Sequence, residues 1–105
     1  MENTVALLQK IRSSLPYAPV FYVGVSPCWS REGAWAAIEI SNDRMRQYCA
    51  SQPNIYYIDI ASACRGADGK PDPDLFLSDK LHPSAAGYAV WTQVVAGTVK
   101  RVLRV

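Results

Sequence analysis

His82 is the single histidine of the 105-residue chain, and it closes the run Ser78-Asp79-Lys80-Leu81-His82-Pro83. Histidine is the side chain whose ordinary pKa keeps both protonation states within reach near neutrality. Such a base works on a hydroxyl when a carboxylate fixes its tautomer and stabilises the imidazolium that forms. Asp79 lies three residues upstream, so one turn can supply both groups. Pro83 disfavours a helical conformation for His82, and Ser84 is placed to cap the helix that follows. The chemistry on offer is proton transfer from a hydroxyl or a water. By itself Asp-x-x-His is a weak signal, and the pair would also be satisfied as a structural hydrogen bond.

A base of this kind needs a nucleophile. Ser26 stands where a strand ends, a position suited to an active-site residue, but a serine before Pro27 also suits a turn. Cys28, Cys49 and Cys64 are odd in number and widely spaced. Neither a disulfide framework nor a paired-cysteine metal site follows from them. Three structural thiols are expected, with no metal and no cofactor.

The remaining composition narrows the function classes. Half the residues are hydrophobic and 19% are charged, a globular composition. A net charge of +2 is too small to argue for nucleic acid. Lys100, Arg101 and Arg104 cluster where cations complement the end of a helix dipole. Met1 to Leu15 is amphipathic and charged, unlike a signal peptide. The longest apolar run, Val20 to Val25, is far too short to span a bilayer. A soluble protein without a membrane span is expected, with the cytoplasm favoured.

The elements that must position these residues follow from periodicity. Val5, Leu8, Ile11 and Leu15 predict a helix over 4–14, stopped before Pro16. Residues 19–27 form a continuous β-branched and aromatic run between prolines, the pattern of a strand buried on both faces. Residues 28–34 read as a polar loop. Trp35, Ile38, Asn42, Met45 and Cys49 share one face of a helix over 35–51. Pro53-Asn54 breaks it, and residues 55–60 read as a second buried strand. Residues 65–74 are a loop. Tyr88, Trp91, Val95, Val99 and Val102 mark a final helix over about 84–103, with Tyr88 and Trp91 expected in its core face.

This alternation predicts an α/β chain of about two parallel strands and three helices, with helices on both sides of the sheet. Ligands of such sheets sit beyond the carboxyl ends of the strands, where Ser26-Pro27, Cys28-Trp29, Asp59 and the loop of Asp79 and His82 gather. Two strands alone are marginal in water. Residues 20–25 would expose a hydrophobic edge, so association with a second copy, or exchange of an element, through Val20 to Val25 is expected.

The longer run Asp74-Leu75-Phe76-Leu77-Ser78-Asp79-Lys80-Leu81-His82-Pro83-Ser84-Ala85-Ala86-Gly87-Tyr88-Ala89-Val90-Trp91 closely resembles the final block of the SGNH (GDSL-type) hydrolases. Ser26-Pro27, Trp35, Asn42, Asp59 and Gly69-Lys70-Pro71 resemble the segments before that block. The resemblance implies part of a flavodoxin-like three-layer α/β/α sandwich, with residues 1–105 a single domain or the C-terminal half of one. It implies carboxylic-ester hydrolysis of a small-molecule ester through an acyl-serine, without a metal, with His82 as base and Asp79 as its orienting carboxylate. The family's Gly-Asp-Ser nucleophile block has no counterpart in this chain, nor do the glycine and asparagine blocks that help form its oxyanion hole. Ser41-Asn42-Asp43 falls within the helix over 35–51, where that family often has a structural asparagine. Four accounts stay open: part of a hydrolase, a small hydrolase using a replacement such as Ser26, a non-catalytic module that keeps Asp79 and His82 for structure, or a ligand surface lined by the three Trp and six Tyr.

Overall fold

The computed structural model describes residues 2–104. Four α-helices, α1 (Glu2–Ser14), α2 (Trp35–Ser51), α3 (Ile60–Ala63) and α4 (Ala85–Leu103), alternate with two strands, β1 (Val20–Val23) and β2 (Ile55–Ile58). Short 3-10 segments at Trp29–Ala34 and Pro73–Leu75 complete the regular structure. The strands pair in parallel, Val20 opposite Ile55 through Val23 opposite Ile58. The fold class and parallel sheet are as the sequence predicts. The 3-10 segments and α3 are additions that the sequence reading missed.

Side chains of successive strand residues alternate between faces, and the sheet has a core on each. On one face Val20, Tyr22 and Tyr57 pack with Leu8 of α1, Met45 and Cys49 of α2, and Ile55. On the other, Phe21 and Val23 pack with Ile58, Ile60, Cys64 and the α4 residues Val90, Trp91, Val94 and Val95. Burying a side chain such as Ile58 or Met45 contributes about 1.5–3 kcal/mol, and both are only 1% exposed. Leu15 departs from its predicted face. It follows the last residue of α1 and is exposed.

Both strands end earlier than their apolar runs suggest, for local reasons. The β2 run stops at Ile58 because the Asp59 carboxylate accepts the Ser62 N–H at 3.0 Å and caps α3. Beyond β1, Gly24 still donates to Ile58 at 3.0 Å. Val25 then leaves the ladder, because Asn42 takes both of its backbone groups. The Asn42 Oδ1 accepts the Val25 N–H at 2.9 Å and its Nδ2 donates to the Val25 carbonyl at 2.8 Å. Asn42, itself buried, therefore clamps the backbone at Val25. Gly24 has a separate reason to lack a side chain: a Cβ there would lie 2.1 Å from the Tyr57 hydroxyl.

The sheet is open along one edge among the described residues. Among the described residues β1 has β2 as its single neighbour, and all four of its residues are only partly buried. Tyr88, expected in the core face of α4, is 57% exposed instead. It lies at the start of that helix, on a flank that no described element covers.

Candidate active site

Asp79 and His82 sit on a small hairpin that the backbone closes several times over. The Leu77 N–H donates to the His82 carbonyl at 2.8 Å, and the Lys80 N–H donates to the Leu77 carbonyl at 2.9 Å. Phe76 and Pro83 form an antiparallel bridge below the turn. Lys80 takes the left-handed conformation, φ 59°, which reverses the chain between the two functional residues. The hairpin is anchored to α4 by Ser84. Its N–H donates to the Leu75 carbonyl at 2.9 Å, its hydroxyl donates to the Asp74 carbonyl at 2.9 Å, and its Oγ accepts the Gly87 N–H at 3.2 Å. Gly87 fits because a Cβ would meet the Leu75 carbonyl oxygen at 2.1 Å.

Within the turn, the Asp79 carboxylate is divided between backbone and imidazole. Oδ1 accepts the N–H groups of Leu81 at 2.9 Å and His82 at 3.1 Å. Oδ2 lies 2.6 Å from His82 Nδ1. The His82 hydrogen bond, and then the two backbone N–H groups, lower the Asp79 pKa from 3.8 to about 2. Asp79 is thus a carboxylate throughout the neutral range, which favours a proton on Nδ1 and leaves Nε2 of His82 to accept one. The imidazole is open to a reactant, its side chain 63% exposed. The structure thus brings Asp79 and His82 into hydrogen-bonding contact.

Ser26 is placed differently. It lines a cavity of about 400 Å³ with Gly24, Val25, Phe76, Leu81, Pro83, Tyr88 and Trp91, so the end of β1 and the hairpin share one rim. However, its Oγ is buried, and the polar group beside it is the Cys64 thiol, not the imidazole of His82. The structure does not bring Ser26 and His82 into hydrogen-bonding contact. Asp59, expected at the same rim, is occupied elsewhere. Partial burial pushes its pKa up, but the Ser62 hydroxyl and N–H, Arg46 and Arg65 outweigh this and hold it below the ordinary value.

All three cysteines are free and buried. Burial pushes the Cys49 and Cys64 thiols up, away from the thiolate that a nucleophile or ligand needs. Among the described residues no group of His, Cys, Asp or Glu is arranged to hold a metal ion. No helix among them is long and apolar enough to cross a membrane.

The family model described as GDSL-like Lipase/Acylhydrolase matches residues 1–90. The chain belongs to the GDSL-like lipase/acylhydrolase family. The matched residues include the whole Asp79–His82 hairpin and the first turn of α4. A solved structure from Streptococcus pneumonia, provisionally named a platelet activating factor, resembles the fold with a TM-score of 0.78 at 17% identity. The alignment covers 92% of this chain and 49% of that one. The chain thus spans about half the length of the solved structure it matches, and at that identity the likeness concerns the fold. No curated protein sequence matches.

Proposed function

We propose that this chain is the acid–base half of a carboxylic-ester hydrolase. In this reading His82 Nε2 takes the proton of a serine hydroxyl as that oxygen attacks the ester carbonyl. It then returns the proton to the departing alkoxide, and repeats the cycle with water to release the acid. Asp79 holds the imidazole by Nδ1 and stabilises its protonated form. The observation that carries the reading is the 2.6 Å Asp79–His82 contact on a hairpin fixed independently by the backbone, with the imidazole facing solvent.

The serine is proposed to come from a strand-and-helix segment outside these 105 residues, pairing along the open edge of β1 and covering the outer flank of α4. Two facts support this. Ser26 has its oxygen buried, and the solved relative in fold has about as much chain again beyond the matched part. Without such a segment, the same edge at Val20 to Val25 is expected to associate with a second copy. Residues 1–105 then act as one half of a domain.

A mixing experiment tests this. The chain alone should show no covalent labelling by a fluorophosphonate. Mixed with a polypeptide carrying the family's Gly-Asp-Ser strand turn, it should hydrolyse phenyl acetate, with the rate reduced about 10²–10⁴-fold in His82→Ala. Labelling of the chain alone at Ser26 would overturn the external serine. An unchanged rate in His82→Ala would overturn the base. A folded mixture without any hydrolysis would leave Asp79 and His82 as a structural pair.

A further inference from the structure

A second cavity, of about 250 Å³, opens against the same hairpin, lined by Trp29, Pro73, Phe76, Leu77 and Lys80. Four of its five lining residues are apolar, and the fifth is a cation. A concave apolar lining with one convergent polar group is the general form of a small-molecule site.

The walls are held by the hairpin that holds the catalytic candidates. Leu77 and Lys80 are joined by the 2.9 Å backbone hydrogen bond of the turn, and Lys80 immediately follows Asp79. The opposite wall is fixed as well. The Ser30 N–H donates to the Lys80 carbonyl at 3.0 Å, and the Trp29 indole N–H donates to the Pro71 carbonyl at 2.9 Å. Trp29 also meets Trp35 edge to face, with ring centroids 4.8 Å apart. Both the tryptophan and the turn are therefore pinned before any ligand arrives, which reduces the ordering cost of binding. The Lys80 ammonium makes no ion pair with a described residue.

We propose that this cavity receives the acyl group of the ester, with Lys80 meeting the carboxylate of the released acid; the assignment rests on the hydrolase reading above. Charge decides between the two sides of the ester. Hydrolysis makes an anion from the acyl side and a neutral alcohol from the other, so a lone cation at the edge of an apolar cavity suits the acid. Size limits the acyl group. The cavity lies just below the usual range of about 300–1,000 Å³ for ligand pockets, so it fits a short or monocyclic acyl group and not a long lipid tail.

The test reads binding and turnover separately. Hexanoate is titrated into the ¹⁵N-labelled chain while the Trp29 indole resonance, identified by its loss in Trp29→Phe, is followed. Hexanoate should shift it saturably, and hexanol much less. Lys80→Gln should weaken hexanoate by roughly tenfold, as expected for a charge-assisted hydrogen bond, and bring it close to hexanol. Leu77→Glu, at an exposed position, should abolish the shift. His82→Ala should bind hexanoate like the parent chain.

Hexanoate should also inhibit the assembled hydrolase competitively. Binding without turnover in the assembled protein would sink the hydrolase reading and leave a carboxylate site. Turnover without competitive inhibition, or a Trp29 shift unaltered in Leu77→Glu, would overturn the acyl site.

Discussion

Two helices of similar length cover the two faces of the sheet, and they are buried very differently. The 17-residue α2 seats Asn42, Met45 and Cys49 fully within the fold. The 19-residue α4 buries only Gly87 completely, and its Trp91, Val94 and Val95 remain partly exposed. The contrast runs against composition. α2 carries Glu39, Asp43, Arg44 and Arg46 on its outer side, whereas α4 has no charge before Lys100. A helix apolar nearly all round is suited to being covered on more than one side. The α2 face is thus finished by residues of this chain, while the α4 face, which supports the hairpin, has apolar surface left over. An open shallow concavity of Trp91, Thr92, Val95, Ala96 and Val99 marks that surplus. This asymmetry is what the proposed complementing segment would remove.

The difference can be broken by mutation. Met45→Ala should cost about 2–5 kcal/mol in urea unfolding, because a nearly fully buried side chain leaves a cavity. Gly87→Ala should cost about 1–3 kcal/mol, since its Cβ must displace backbone at Leu75; it should also disturb the Asp79 and His82 resonances, which Met45→Ala leaves in place. Val99→Ala on the outer part of α4 should cost under about 1 kcal/mol in the chain alone and more once a complementing segment is bound. Equal costs for Val99→Ala in both states would remove the case for a covered α4.

Much of this was legible in the sequence. The periodic helices are close to where their patterns put them and both strands fall inside their apolar runs, because burial imposes those periods, although each strand stops short of its run. The Asp79–His82 pair was legible because all its determinants are local: the spacing, Pro83 and the Ser84 cap. What escaped depends on contacts distant in the chain. Nothing near Asn42 says that its amide will clamp Val25, seventeen residues away. α3 is hidden because Ile60 and Ala61 extend the apolar run of β2, and only the side chain of Asp59 turns the chain. Tyr88 fits the helical period of a core face, yet it is 57% exposed because no described element packs over it. The strand order places Trp29 and the hairpin at one rim, but the cavity between Trp29 and Lys80 joins segments about fifty residues apart and depends on side-chain packing that no spacing announces.

The smallest expected effect sharpens the comparison by acting on the hairpin alone. The folded state holds the Asp79 pKa at about 2, below the ordinary 3.8. A depressed carboxylate pKa means that the unfolded chain binds the proton more readily, so the stabilisation is fully present above 3.8 and is lost as the pH falls through about 2. Protonation takes charge away from the Oδ1 that receives the Leu81 and His82 N–H groups. Asp79→Asn should therefore exchange these two amides faster than the parent chain at pH 5, and the two proteins should converge as the pH approaches 2. Asp59 titrates below the ordinary range as well, but it is present in both proteins and largely cancels from the difference. The Val25 amide, held by Asn42 on the finished side, should exchange alike in both proteins at every pH. Convergence already nearly complete at about pH 3, where an ordinary carboxyl of pKa 3.8 is mostly protonated and one held at about 2 is not, would mean that Asp79 is not held by His82 in solution. A matching change at Val25 would mean that the two faces of the sheet are coupled, and that the hairpin is not the separate unit its hydrogen bonds describe.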